Sequence, residues 1–466
     1  MEWKDLISSK RLGSESESSN VKRIIRSEYE RDYDRIIFSN AFKRLQNKTQ
    51  VFPCPGKYFV HNRLTHSLEV SCVGRALGKI VGTHLYKKYK KEWDDIEISP
   101  LDIAHIVSCA SLVHDIGNPP FGHSGEDAIR HFFRQHEDGF INFKLSNGIE
   151  NILWKDLDYF EGNAQGFRVL TNINPDKLGG GLGLTYSTLG TYLKYPQEAS
   201  AVDPESKNVS RKKYSFNYSE REIFLKIARK LKLIEIKSNP IIYCRHPLAF
   251  LMEAADDICN VFLDFEDSVK LGIIKETDYE DPLINIVTPG FKLGLYNKSL
   301  FNKIKDKNER YSFLRAKAMD TLVNNISDIF LEKEEKILNN EFDKPLISKI
   351  EPVFFKSLKE IDKVKRSVIF KNRNVLEIET AGYEILGGLL NYFIDIALVS
   401  KYINQGKQPT LYGEKLINLI PPTFYDPKDN NFQKVIKIVD YVTGMTDVFA
   451  LDLYRKLKGI SLPNDF

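Results

Sequence analysis

The sequence predicts a mainly α-helical fold. Three observations carry this. Apolar residues recur at helical spacing along several long stretches, prolines and glycines fall at the ends of those stretches, and alternating β-branched runs are few. The chain has 466 residues, 42% of them hydrophobic and 28% charged, the balance of an ordinary soluble globular protein. Lys and Arg number 67 against 63 Asp and Glu, a net charge of +4, which is too even to announce a nucleic-acid binder.

Taken in order, the elements begin with a Ser/Glu-rich start. Residues 1–20 read as a mobile N-terminal arm with no apolar signal segment, so a cytoplasmic protein is expected. Ile24, Ile25, Tyr29, Asp32, Ile36 and Phe42 then keep helix-compatible spacing, until two prolines and Gly56 interrupt it. The next helix runs over 64–85, with His66, Val70, Val73, Leu77 and Ile80 on one stripe. Pro100 suits the first turn of a third helix, which reaches to about Asp115 and is ended by Gly117, Pro119 and Pro120.

A loop-rich insert is expected over 178–213. Its glycine run, LGGGLGLTYSTLG, lacks the GxxxxGK[ST] pattern and reads as a flexible connection, not a phosphate loop. Residues 201–213 read as a polar surface linker. Residues 248–269 are helical again, with 248, 252, 255, 259 and 262 as the apolar stripe. The stretch 381–399 is the most membrane-like, but Glu384, Asn391 and Asp395 make it a buried amphipathic helix. The five cysteines form no CxxC pair and read as small core residues.

The chemistry lies in histidines and carboxylates. His66 sits on a core stripe, where it is either a histidine satisfied by a carbonyl or a ligand. His114 and Asp115 end an apolar helix, and a buried Asp beside a buried His calls for charge compensation, from a helix-end network or from a divalent metal. Of the pair Asp256 and Asp257, Asp256 borders the apolar stripe and is the inward candidate; a solvated helix face is the other reading. Together, His66, His114, Asp115 and Asp256 offer two nitrogens and two carboxylates and no thiolate, a donor set that suits Mn, Fe, Co, Ni or Zn. The loop HDIGNPPFGHSGE then returns His123 and Glu126 toward that site as a proton-transfer pair; the other reading is a helix start capped by Ser124 and Asp127. The run Lys87-Lys88-Tyr89-Lys90-Lys91 and the basic run Arg211-Lys212-Lys213 read chiefly as solvated surface, with nucleotide or single-stranded DNA contact as the alternative.

The longer strings carry a resemblance. IIFSNAFKRLQNKTQVFPCP, NRLTHSLEV, HDIGNPPFGHSGE, EGNAQGFRVLTN, LTYSTLGTYLKYP, RHPLAFLMEAADDI and GMTDVFALDLYRKLKGISLP resemble the deoxyguanosinetriphosphate triphosphohydrolases of the HD superfamily, from about residue 26 to 463. The resemblance implies an HD-domain core over 21–270 and additional C-terminal helices over 271–466, packed on the core and making oligomer contacts. It implies hydrolysis of a deoxynucleoside triphosphate, dGTP as first choice, to the nucleoside and inorganic triphosphate. The metal ligands it implies are His66, His114, Asp115 and Asp256, holding Mn²⁺ or Mg²⁺, with His123 and Glu126 catalytic. It places Gln50, Val51, Arg63, Asn163, Lys194, Tyr195 and Asp264 on the substrate. A homo-hexamer is expected, with a tetramer as the alternative, along with a nucleotide effector and no membrane partner. The rival readings are another HD-type nucleotide phosphohydrolase and a nucleotide-sensing or DNA-binding protein of the same fold. One departure is clear: the family's DDIAY-like string reads DDICN, so Asn260 stands where a tyrosine would pack on the deoxyribose.

Overall fold

A computed structural model describes residues 1–13, 26–52, 60–135, 151–172, 181–403 and 411–460. The helices that matter for the site are α1 (Glu28–Phe38), α2 (Arg63–Lys88), α3 (Pro100–Leu112), α4 (Gly122–Gln135), α5 (Gly162–Thr171), α6 (Tyr186–Tyr192), α7 (Ala249–Lys270), α8 (Lys307–Leu338), α9 (Arg373–Ile403), α10 (Asn431–Thr443) and α11 (Asp447–Leu457). Among the described residues the sheet structure is one antiparallel pair, Glu235–Ser238 with Ile241–Tyr243. The mainly α expectation therefore holds.

Helices α2 and α3 form the spine. Asn62 opens α2 by accepting from the Thr65 amide at 2.9 Å, and Ser99 opens α3 with Pro100 at its first position. Gly74, Gly78 and Gly82 lie on one face of α2, four residues apart. A Cβ at Gly78 would meet Ala104 Cα at 2.8 Å, and one at Gly82 would meet the Pro100 carbonyl at 2.7 Å. Larger residues there would push the two backbones apart. Close approach fixes His66 on α2 relative to the end of α3, where His114 and Asp115 lie. Helix α7 packs on both and delivers Asp256.

Two apolar clusters hold the chain together. The larger joins α2, α3, α7 and α8 with residues as distant as Trp3 and Val375. The smaller joins α4 to α9, α10 and the start of α11, through Phe133, Leu386, Phe393 and Val439. The C-terminal segment is thus packed on the core in two portions, one on α7 and one on α4. Glu384, Asn391 and Asp395 face outward on α9 while Leu386, Leu390 and Ile394 are buried, as the amphipathic reading requires. Among the described residues no helix is long and apolar enough to cross a membrane.

Three expectations need correction. Residues 1–13 are packed and not a mobile arm: Trp3 is buried against Trp93 and donates to Glu334 at 2.9 Å, and the Leu6 carbonyl accepts from Ser187 at 2.9 Å. The Ser/Glu-rich run 14–19 lies outside the described residues. The glycine run is no flexible connection over 181–192, which is buried throughout and contains α6. Gly181 and Gly183 take φ of +58° and +61°, turns open to glycine, and Asp32 accepts from Thr185 Oγ1 at 2.6 Å to tie the turn down. Lastly, Cys109, Cys244 and Cys259 are buried but Cys72 is exposed; Cys54 lies outside the described residues.

Candidate active site

The residues that the resemblance places on metal, proton transfer and substrate all line one cavity of about 380 Å³ between α2, the end of α3, α7 and the loop before α4: Gln50, Val51, Arg63, His66, His114, Asp115, His123, Glu126, Asn163, Lys194, Tyr195, Asp256 and Asp264. Three of them converge most tightly. One ligand atom each from His66, His114 and Asp256 lie within 4.8 Å of one another. His66 Nε2 and His114 Nε2 are 3.3 and 3.4 Å from Asp256 Oδ1. Both nitrogens are buried and neither makes a hydrogen bond. The other ring nitrogen of His114, Nδ1, is 2.7 Å from the Ser111 carbonyl; donating there leaves Nε2 as a lone-pair donor aimed into the cluster.

Two unsatisfied imidazole nitrogens facing a carboxylate fit a divalent cation. Asp115 adjoins them, with Oδ1 at 3.6 Å from His114 Nε2. Its carboxylate is also held from behind, Oδ2 by Arg63 at 2.5 Å and Oδ1 by Asn118 at 2.6 Å. Asp257, expected to point further round, lines the same cavity with a buried Oδ2 that has no hydrogen-bond partner.

The loop between α3 and α4 is set by glycine. A Cβ on Gly117 would lie 2.0 Å from the Gly166 amide nitrogen, so this turn can press against α5 only without a side chain. The chain then turns through Pro119 and Pro120 into α4, and His123 enters the cavity. Its Nδ1 is 3.1 Å from Glu126 Oε2, and the ring remains solvent-accessible. Glu126 is buried and its Oε1 accepts from the Gly162 amide at 2.8 Å. Burial alone would raise the Glu126 pKa. The His123 hydrogen bond and the Lys213 charge outweigh it and hold the carboxyl down at about 2. The same hydrogen bond raises His123, so the pair favours an imidazolium beside a carboxylate.

Positive charge lines the rest. Lys194 Nζ is 3.7 Å from both Glu253 and Asp256, and Lys213 Nζ pairs with Glu161 at 3.1 Å. Asn163 is fixed by Glu161 at 2.7 Å, and Tyr192 donates to the Asn163 carbonyl at 2.7 Å. Gln50 Oε1 and Arg63 Nε are further buried atoms with no hydrogen-bond partner in the cavity wall.

Sequence reasoning gave Lys213 only as an alternative nucleotide contact and missed Lys365 and Phe370. Lys213 ends a run read as surface linker; the run is indeed largely surface, but its last residue turns inward. Lys365 opens a single π-helical turn, Lys365–Ile369, and donates to Asp264 at 2.7 Å and to the Asn260 carbonyl. No local pattern marks such a turn. Asn260 itself donates to Asp256 Oδ1 at 2.7 Å, so its amide serves the carboxylate cluster.

Comparison with known proteins agrees with this geometry. Residues 63–150 match the HD domain family. Over 99% of this chain and all of the relative, it is 40% identical to a deoxyguanosinetriphosphate triphosphohydrolase-like protein of Synechocystis. A protein of the same description from Pseudomonas aeruginosa is 36% identical over the full length of both chains.

The chain belongs to the deoxyguanosinetriphosphate triphosphohydrolase family.

A family member from Yersinia enterocolitica, described as a deoxyguanosinetriphosphate triphosphohydrolase without the qualifier, is 29% identical over 98% of this chain and 99% of its own. The HD match begins at Arg63, the first residue of α2, and includes His66, His114, Asp115, His123 and Glu126. Asp256 lies outside that span and joins the cluster only through the packing of α7.

Proposed function

We propose that this protein hydrolyses a deoxynucleoside triphosphate, dGTP by preference, to the deoxynucleoside and inorganic triphosphate with the help of a bound divalent cation. The observation that carries the reading is the pair of buried, unpartnered imidazole nitrogens facing Asp256, set in a cavity that also holds His123–Glu126 and four Lys and Arg side chains.

His66, His114 and Asp256 would hold the ion, with Asp115 beside them. Bound there, Mn²⁺ or Mg²⁺ supplies Lewis-acid polarisation of a phosphate oxygen. Arg63, Lys194 and Lys213 neutralise the triphosphate as it enters a site with no phosphate loop. Water attacks the α-phosphorus, the bond from phosphorus to O5′ breaks, and triphosphate leaves the deoxynucleoside. His123, held protonated by Glu126, gives its proton to O5′. Buried Glu126, fixed in turn by the Gly162 amide, keeps the ring in one orientation. In this reading Asp264 accepts from the sugar 3′-OH and Gln50 lies beside the deoxynucleoside, both from the wall of the same cavity.

The test is incubation of the purified protein with each dNTP and Mn²⁺ or Mg²⁺, with products resolved by anion exchange. Deoxynucleoside plus intact triphosphate is expected, with dGTP turned over fastest. Release of phosphate, pyrophosphate or a nucleoside monophosphate overturns the reaction proposed and moves the protein to another class of HD phosphohydrolase.

A further inference from the structure

A second cavity of the described chain is larger than the one just discussed. It measures about 620 Å³ and lies on the other side of the same turn. Asp115 and Asn118 face the catalytic cavity, while the intervening Ile116 and Gly117 line the second. The pattern repeats on two neighbouring segments: Lys48 lines the second cavity and Gln50 the first, Gln165 the second and Asn163 the first. The partition between the cavities is therefore three short pieces of chain, one of which carries Asp115. Lys48 braces it, donating from a buried ammonium to the Asn118 carbonyl at 2.6 Å and the Thr443 carbonyl at 2.8 Å.

The lining of the second cavity states what would fit. Arg35 and Arg44 both face it. Their hydrogen bonds go to backbone carbonyls, Leu182 at 3.1 Å and Gly444 at 3.3 Å, and neither guanidinium has a carboxylate within salt-bridge distance among the described residues. The two carboxylates in the wall are engaged elsewhere: Asp34 by Arg26, and Asp440 by Arg168 at 2.8 Å. The remaining wall mixes neutral polar groups such as Asn40 and Thr423 with Lys48 and with apolar and aromatic ones, Phe38 being 74% exposed and Phe424 also lining the space. Two arginines without acidic partners beside aromatic rings, in a cavity of ligand size, match an anionic group joined to a planar apolar body.

We propose that this cavity is a second binding site, for a small planar organic anion, and that its occupant contacts the back of the turn that holds Asp115.

The probe is 1-naphthalenesulfonate, titrated calorimetrically into the full-length protein, with neutral 1-naphthol as control. Saturable binding of the sulfonate is expected, and weaker binding of the naphthol. In an Arg35→Ala/Arg44→Ala variant binding should weaken by about tenfold or more, as loss of charge-assisted hydrogen bonds predicts. A Lys213→Ala variant, altered only in the catalytic cavity, should bind as the parent does. Hydrogen exchange on the unaltered protein gives an answer independent of whether the double variant folds: the probe should protect amides over 115–118 and 443–444. Equal affinity for naphthol, loss of binding in Lys213→Ala instead of the arginine variant, or protection confined to the catalytic loops would each overturn the proposal.

Discussion

Two buried charge clusters on either side of α5 look alike in composition and differ in bonding. Around Arg168, both oxygens of Asp440 accept from one guanidinium, at 2.9 and 2.8 Å, and Gln165 adds a third bond at 2.9 Å. In the other cluster, the buried Nε2 atoms of His66 and His114 have no hydrogen-bond partner. The first arrangement joins α5 to α10, and its guanidinium is paired on both sides, by Asp440 and by Glu220 at 2.6 Å. The second is incomplete without a ligand. Burial is common to both, so burial does not mark the site; two unpartnered nitrogens converging on one carboxylate do.

Removing a member of each cluster should break the comparison in opposite ways. Asp256→Ala should bring triphosphate release below detection, yet leave the melting temperature measured without metal close to the parent's. In the parent, added Mn²⁺ should raise the melting temperature, as any ligand of the native state does, and in His114→Ala it should not. If His114→Ala is stabilised by Mn²⁺ like the parent, the cluster is not the metal site. His123→Ala should keep the Mn²⁺-induced stabilisation and lose about 10²–10⁴-fold in kcat, the range for a general acid. Asp440→Ala should do the reverse: a loss of about 1–3 kcal/mol in urea denaturation, because Arg168 would keep only its Glu220 partner and buried Gln165 would lose its acceptor, with kcat little changed in the folded fraction.

The smallest effect sharpens the mechanism. His123 donates its proton when charged, so rate should fall as pH rises through its pKa. The Glu126 hydrogen bond raises that pKa. Glu126→Gln removes the negative charge, so the falling limb of the pH–rate profile should move to lower pH. A limb that stays in place would assign it to another group.

Much of the site was legible because its parts are local. His114, Asp115, His123 and Glu126 fall within thirteen consecutive residues whose glycines and prolines dictate a turn. His66 was readable as a histidine on a core stripe, and Asp256 as the inward member of an acidic pair, because helical periodicity orients both. Lys213 was not, because a basic run at a loop end has no periodicity to say which member turns inward. Lys365 was not, because a lone π-helical turn has no sequence signature. The N-terminal segment failed for a related reason. Local composition predicted exposure, while Trp3 finds its partners in Trp93 and Glu334, far along the chain.

The sequence by itself determined the helices, their caps, the turn between His114 and His123, and the donor types that make a metal-dependent hydrolase the natural reading, since each depends on spacing within a few turns of chain. Tertiary structure alone decided that Asp256 meets His66 and His114, that Asp115 is shared with Arg63, and that a second cavity backs onto the same turn. Those contacts depend on how closely α2 and α3 approach over their glycines and where α7 crosses them. Such packing is set by side-chain volumes on separate elements, which no local pattern encodes.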